Sequence, residues 1–522
     1  MNHTYKIQFR HANYYKDLAW KTEEDFLQGR ERAKLALQTF DTEWANIAAG
    51  QCWAADHLDS TAAAELCLQY AAAGVVLREF RQPVQEQLRW LEMGIRAARR
   101  RKNRTAYARH LSNLGRVYVN IGEARRAVKC YQRALAIARK NTERLAEAED
   151  LWGLGQALTE LGEFPQAIEC LEASLKILRE IGDRLVEGSV LHSLGVAYDS
   201  QGEMTRAIEY FQEAVLLADE FGDGLGKAQT LKALGSTYES LGKSQKAVGV
   251  LHSAIASFRE FGDQRSEGQC LNEMGNCYFS LGEIAQAVQC YEACLKIAHA
   301  VGDRSTEGGA VGNLGIAYFE LGELDEALIF HEASLLISRE TGDRQAEERD
   351  LGNLGLVCEA KGEAQRAIDY HQQALALSRE IGDRRGVAHD LCNLGSAYLL
   401  LGAPAQVLRY CDESLLICRE IGSREVEAEN LRLMGAAHEL LGDLPRAFTE
   451  FDQALAIARH TNNFRGEAMA LASLARASAR SGDFDKAADY GKAALQQYEH
   501  MGSAEAELLR QQMEAWGHQL SN

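Results

Sequence analysis

Three sets of residues in this 522-residue chain have the types and spacing that chemistry could use. Gly222, Gly226 and Lys227 suggest a phosphate loop, in which backbone N–H groups cradle phosphates and a lysine meets their charge. The spacing is wrong for that motif, and Ala228 stands where a Ser or Thr must reach the magnesium ion. Cys270, Cys277, Cys290 and Cys294 cluster in one stretch, with Cys290 and Cys294 a helical turn apart, as two thiolates sharing a soft metal would be. No CxxC pair accompanies them, and cysteine is among the most commonly buried residues. The twelve cysteines therefore read as buried thiols of a reduced, cytoplasmic protein. His331 and His371 stand at the same place in successive forty-residue blocks, and Cys411 follows in the next. A ligand or proton relay is conceivable there, but the shared register points to packing. No catalytic, cofactor or metal site is expected, and the chain reads as a non-enzyme.

That shared register is the chain's main feature. Written in blocks of forty from Leu111, the sequence repeats ten times without insertion or deletion. Glycine holds the fifth position in nine blocks, from Gly115 to Gly435, and Ala475 is the departure. Glycine holds the twelfth position in all ten. Alanine holds the seventeenth, with Val407 the departure. A fixed period of this length means stacked supersecondary units. Within the block Leu351 to Asp390, Leu351, Leu354 and Cys358 recur at helical spacing up to a turn at Lys361-Gly362. Ala367, Ile368, His371, Ala374, Leu375 and Ser378 then mark a second helix, which stops at Gly382. The four prolines, Pro83, Pro165, Pro404 and Pro445, fall where second helices begin and a missing N–H costs little. The small residues at positions five and seventeen let the two helices approach closely, and a larger residue there would overpack the contact.

Leu391, Leu394, Gly395 and Tyr398, with Ala367 and Ala374 of the preceding second helix, resemble the tetratricopeptide repeat. The family consensus is shorter; the forty-residue unit is similar to those of kinesin light chains, a spindle-orientation adaptor and many bacterial proteins. The resemblance implies an all-α, right-handed superhelical solenoid of antiparallel helix hairpins over residues 111–510. It implies a binding surface more often than an enzyme. Residues 71–110 keep the register as a degenerate first unit through Gly74, Val75, Leu77, Pro83, Leu88, Leu91, Gly94 and Ile95. Residues 504–522, with Leu508, Leu509, Met513, Trp516 and Leu520, read as a capping helix over the last unit. Residues 1–70 form an aromatic-rich N-terminal helical module. Its segments from His11 and from Trp44 resemble the helical linker ahead of the repeat arm in bacterial STAND signalling NTPases, which implies a sensor arm acting with a separate NTPase. Peptide-pheromone receptors also use such repeats, but residues 1–70 show no clear helix-turn-helix.

Charge limits the partners. Residues 1–110 carry 17 Lys/Arg against 13 Asp/Glu, and the remainder 40 against 62. An acidic array repels phosphate backbones, so no nucleic acid is expected. The basic run Arg96, Arg99, Arg100, Arg101, Lys102 and Arg104 suits a helix C-terminus. No apolar run is long enough for a membrane helix and no signal peptide is evident.

A protein or peptide ligand is the expected partner. Each first helix buries positions one, four, five and eight, leaving two, six and nine, flanked by three and ten, on the opposite face. The resemblance implies that this face lines a concave groove. It is polar early, at Arg116, Gln156, Asp199 and Glu239, and becomes apolar at Phe279, Ile316, Phe319, Leu356, Leu399 and Leu400. Gly309, Gly312 and Gly352 leave room beside these residues. Asn313, Asn353 and Asn393 form a ladder at position three, and an amide both donates and accepts, as an extended peptide backbone requires. Bonding between neighbouring repeats is the other use such asparagines have. The expected function is a scaffold or sensor binding a segment in the groove through Phe279, Asn313, Ile316, Phe319, Asn353, Leu356, Asn393 and Leu399. A self-associating homo-oligomeric array is the rival reading.

Overall fold

The computed structural model describes residues 3–27, 30–73, 83–501, 503 and 505–520. Among them are twenty-five helices and no strand. From Arg104 to Phe484 a helix begins every twenty residues, so each forty-residue block is one helix hairpin. Gly382 (φ 77°) closes the second helix Ala364–Ile381 in the left-handed conformation that glycine adopts without cost. The next residue opens the following helix, because the Asp383 carboxylate accepts from the Arg385 N–H as an N-cap. Asp183, Asp263, Asp303 and Asp343 do the same for the helices that follow them. The recurring Gly-Asp-Arg is thus a stop and a start in adjacent residues.

The fifth-position glycine has a specific neighbour. A Cβ on Gly355 would lie 2.3 Å from the ring of His371, and one on Gly195 2.5 Å from that of Phe211. Gly115, Gly155, Gly235, Gly315, Gly395 and Gly435 face Tyr131, Leu171, Leu251, His331, Cys411 and Phe451 in the same way. The position-21 side chain of the second helix fills the volume that glycine leaves in the first. Position seven is buried as well, at Ala317, Val357 and Ala397, so each first helix is covered on more than one side. The last hairpin inverts the pair: Ala475 stands at position five and Gly491 at position twenty-one. There Met513 of the helix Glu505–Leu520 takes the space, its Sδ 2.8 Å from where a Gly491 Cβ would be. Leu509 and Ala506 of that helix are buried, Met513 and Trp516 pack on the same core, and Leu508 is exposed.

By compactness the chain forms two units, Met1–Leu281 and Gly282–Asn522. Within each unit, first helices of neighbouring hairpins touch one another while second helices do not do so to a comparable extent. The first helices therefore occupy the inner, tighter side of each stack. In the first unit, the segments before and after residue 70 share one core: Trp44 stacks on Trp90 at 5.4 Å, and Tyr70 donates to Ala12 O at 2.6 Å. Leu91 and Ile95 are buried, and a Gly94 Cβ would meet Ala71, while Gly74, Val75 and Leu77 lie outside the described residues. The basic run ends the helix Val84–Arg101, where Arg99 bonds the Tyr107 hydroxyl and Arg100 pairs with Asp59.

Candidate functional site

The first-helix face differs between the units. In the first unit it is knitted across repeats by hydrogen bonds. Trp152 Nε1 donates to Ser193 Oγ at 2.8 Å, Lys232 Nζ to Gln269 Oε1 at 2.5 Å, and Ser236 Oγ to Glu273 Oε2 at 2.7 Å. Ser236 is position six of one first helix and Glu273 position three of the next. In the second unit, Ile316 and Leu356 put apolar groups at position six, while Ser396 in the next hairpin still bonds across repeats to Glu359. Ile316 is 37% exposed, Leu356 39% and Leu400 50%, values high for side chains of this type. Phe319 and Leu399 are half-buried, and Leu399 packs against the next hairpin's core. Asn353 and Asn393 are half-buried and make no side-chain hydrogen bond within the described residues, whereas Asn313 does have an interaction. A Cβ on Gly352 would meet nothing within 4 Å, so the space beside this face is open. Phe279 is half-buried and belongs to the first unit; the other seven residues of the expected groove belong to the second.

The residues singled out for chemistry are packing groups. His371 is fully buried against Gly355, and its Nε2 lies 2.8 Å from Glu359 Oε1. Ser396 of the next hairpin donates to the other oxygen of Glu359 at 2.6 Å, so a core histidine is tied to its neighbour repeat. Burial pushes His331 down to about 4, which keeps it neutral. Cys270, Cys277, Cys290 and Cys294 are buried and in no disulfide, and burial drives Cys270 up to about 12 and Cys290 to about 11. Among the described residues no group of three or more His, Cys, Asp or Glu is arranged to hold a metal. Gly226 lies in the first turn of the helix Gly224–Ser240, where its N–H donates to the Asp223 cap at 2.9 Å. Lys227 pairs with Asp219. No described helix is long and apolar enough to cross a membrane.

Three features carried no warning in the repeat pattern. First, ion pairs run between and within hairpins: Arg339 reaches Glu347 of the next hairpin at 2.9 Å, Arg344 holds the same carboxylate at 2.7 Å, and Arg344 also reaches Glu380 on the second helix of its own hairpin at 2.7 Å. Burial works against the Glu347 charge, but the two arginines outweigh it and hold its carboxyl below the usual range. The same pairing recurs at Arg184 with Glu220 and at Arg384 with Glu420. Second, carboxylates are buried just before the first position of some blocks. Ser112 donates to Asp150, Ser338 to Asp350 and Ser378 to Asp390, and burial pushes Asp150 and Asp390 up to about 7. Third, a cavity of about 270 Å³ lies in the polar, first unit, lined by residues from Trp152 to Thr230. Seeing any of these requires knowing which side chains face one another across hairpins.

A family model described as tetratricopeptide repeat matches residues 106–180, 147–219, 187–260, 228–300, 264–335, 306–380, 350–420 and 387–460. Among solved structures, the chain is similar to a STAND signal-transduction ATPase with a tetratricopeptide repeat sensor from Pyrococcus horikoshii. That likeness has a TM-score of 0.56 and 13% identity, over 80% of this chain and 65% of that one. It is also similar to the apo form of RapI, with a TM-score of 0.54 and 15% identity over 68% of this chain and 98% of that one. The repeats of a putative kinesin light chain from Podosopora anserina match at 21% identity and a TM-score of 0.33, over 37% of this chain and 95% of that one. No curated protein matches the sequence.

Proposed function

The chain belongs to the tetratricopeptide-repeat family, and from that membership we propose that it is a non-enzymatic scaffold or sensor arm whose second unit holds a peptide or protein segment on its first-helix face. The observation that carries this reading is the conjunction at residues 353–400. Leu356 and Leu400 stand exposed beside Asn353 and Asn393, whose amides make no side-chain hydrogen bond among the described residues. An amide open to a ligand next to exposed apolar side chains is what an extended segment needs: hydrogen bonds for its backbone and anchors for its side chains. Stacked-repeat arrays use their inner surfaces in this way. The similarity to the sensor of a STAND ATPase lends the sensor-arm form of the proposal its model, with an NTPase acting as a separate chain. None of the twelve cysteines is in a disulfide, which fits a reducing, cytoplasmic setting.

The test is affinity capture from native lysate with wild-type protein, Phe319→Ala, Leu356→Ala and Glu239→Ala as baits, followed by calorimetry on the captured partner. Phe319→Ala and Leu356→Ala should each weaken binding by about 1–3 kcal/mol, and Glu239→Ala should leave it unchanged. Full affinity in both apolar variants would sink the groove reading. Self-association is favoured by a different observation, the exposed pairs Leu400-Leu401 and Leu440-Leu441 at consecutive turns. Light scattering separates the two readings, because a monomer at all concentrations counts against it.

A further inference from the structure

The cavity in the first unit has a composition that fits one kind of occupant. Its apolar walls are Trp152, Leu185 and Leu217, and His192, Gln156 and Gln229 give it polarity. It exists because Gly188 has no side chain: a Cβ there would meet only Leu217 Cβ, at 3.6 Å. Ala148 and Ala228 hold the same register in the hairpins on either side and are fully buried. At about 270 Å³ it falls below the roughly 300–1,000 Å³ of sites for drug-sized ligands, and suits a single aromatic ring.

The cation at its edge is already paired: Arg184 reaches Glu220 at 3.4 Å. An anionic occupant would be desolvated without a free counter-ion. His192 sets the polarity. Thr230 Oγ1 spends its proton on Gly226 O at 2.8 Å, so its contact with His192 Nδ1 at 3.1 Å requires that Nδ1 carry the hydrogen. Nε2 is then the lone-pair nitrogen, and among the described residues no group bonds it. Burial drives this imidazole down to about 4, which keeps it an acceptor at neutral pH. Leu185 also belongs to a row of exposed apolar side chains along consecutive hairpin junctions: Leu145, Ile181, Leu185, Phe221, Leu225 and Phe261. The row extends past the cavity on both sides, and no free aromatic molecule is large enough to cover it.

We propose that this cavity is a socket for the tip of a tyrosine or tryptophan on a partner protein. The tip's O–H or N–H donates to His192 Nε2, and apolar residues flanking it lie on Ile181, Leu185, Phe221 and Leu225. This site is independent of the second-unit face, and aromatic side chains seated in pockets are the commonest anchors of protein interfaces.

The probes are p-cresol, toluene, benzoate and the peptide acetyl-Leu-Ser-Tyr-Ser-Leu-amide, titrated into the full chain by calorimetry and saturation-transfer NMR. The peptide should bind more tightly than p-cresol, and p-cresol about five- to tenfold more tightly than toluene, the worth of one hydrogen bond. Gly188→Leu should fill the cavity and abolish binding while the melting temperature holds or rises, since leucine is the better helix former. His192→Phe keeps a ring in place and should erase the preference for p-cresol over toluene, which tests the idea even if Gly188→Leu misfolds. The proposal falls if toluene equals p-cresol, if benzoate binds best, if Gly188→Leu still binds, or if neither p-cresol nor the peptide binds. It also falls if p-cresol matches the peptide, because the occupant is then a free phenol.

Discussion

Asp390 shows how a single side chain can set the pH response of a repeat. It is 2% exposed, it accepts from the Ser378 hydroxyl at 2.6 Å, and burial raises it from about 3.8 to about 7. The folded state therefore holds a proton that the unfolded chain releases. The stabilisation is fully present below the unfolded value near 3.8 and is lost as pH rises through about 7. The next repeat shows the alternative. Asn430 holds the same register, and its amide bonds Ser414 Oγ at 2.7 Å and Val426 O at 2.8 Å. Asp390→Asn should thus raise stability at pH 8 by about 1–3 kcal/mol, with the gain shrinking towards pH 5. Thermal melts at the two pH values decide it, and an equal gain at both would remove the titration argument. Little of this is legible in sequence, where Asp150, Asp350 and Asp390, each ahead of a block, look like solvated helix residues. The fifth-position glycines are legible, because nine of the ten copies show them. Their fillers are not, since tyrosine, leucine, phenylalanine, histidine and cysteine share only a place and not a chemistry.

At the scale of the element, the hairpin is specified by its ends. The glycine stops and the prolines at second-helix starts can be read directly, since each answers a backbone constraint. The aspartate caps and the arginine relay are harder to see, because their partners lie on the following helix or hairpin. The relay's arginines are half exposed, so their pairs add modest stability each; Arg339–Glu347 links neighbouring hairpins, while Arg344–Glu380 and Arg184–Glu220 tie together the two helices of one hairpin. The helix Glu505–Leu520 has a clearer energetic part. It buries Leu509 and puts Met513 over Gly491, beside the core that holds Leu471 and Leu474. Deleting residues 503–522 should open that core. Hydrogen exchange should quicken within residues 471–500 and leave the hairpins before residue 430 protected, as expected when stability is built from neighbour contacts. Unchanged exchange in 471–500 would show that the helix adds nothing to the hairpin it covers.

For the whole molecule, contacts run almost entirely between adjacent helices, with a few between successive first helices. Damage should then spread only as far as neighbours transmit it. Gly355→Val drives methyl groups into the His371 ring and should cost about 1–3 kcal/mol or more. Gly352→Ala, a few residues away on the open face, meets nothing within 4 Å and should cost nothing. Exchange in Gly355→Val should rise in the hairpin Arg344–Ile381 and its two neighbours and fade beyond them. A chain-wide loss of protection would mean one cooperative unit rather than a sum of repeats. The repeat number and the all-α class are legible at this scale because periodicity is a global signal. The division after Leu281 and the cavity are not, since both depend on how side chains from separate blocks meet.

The inverted pair at Ala475 and Gly491 bears on how such a gene can change length. Unequal recombination between blocks that share a period keeps glycine opposite a filler in every new copy. Internal hairpins are thus interchangeable, and the array can grow or shrink from within. The final hairpin is not, because its filler comes from the helix after it: Met513 lies beside Gly491. A copy of that block placed upstream would carry a glycine with no methionine above it, and the resulting void would select against it.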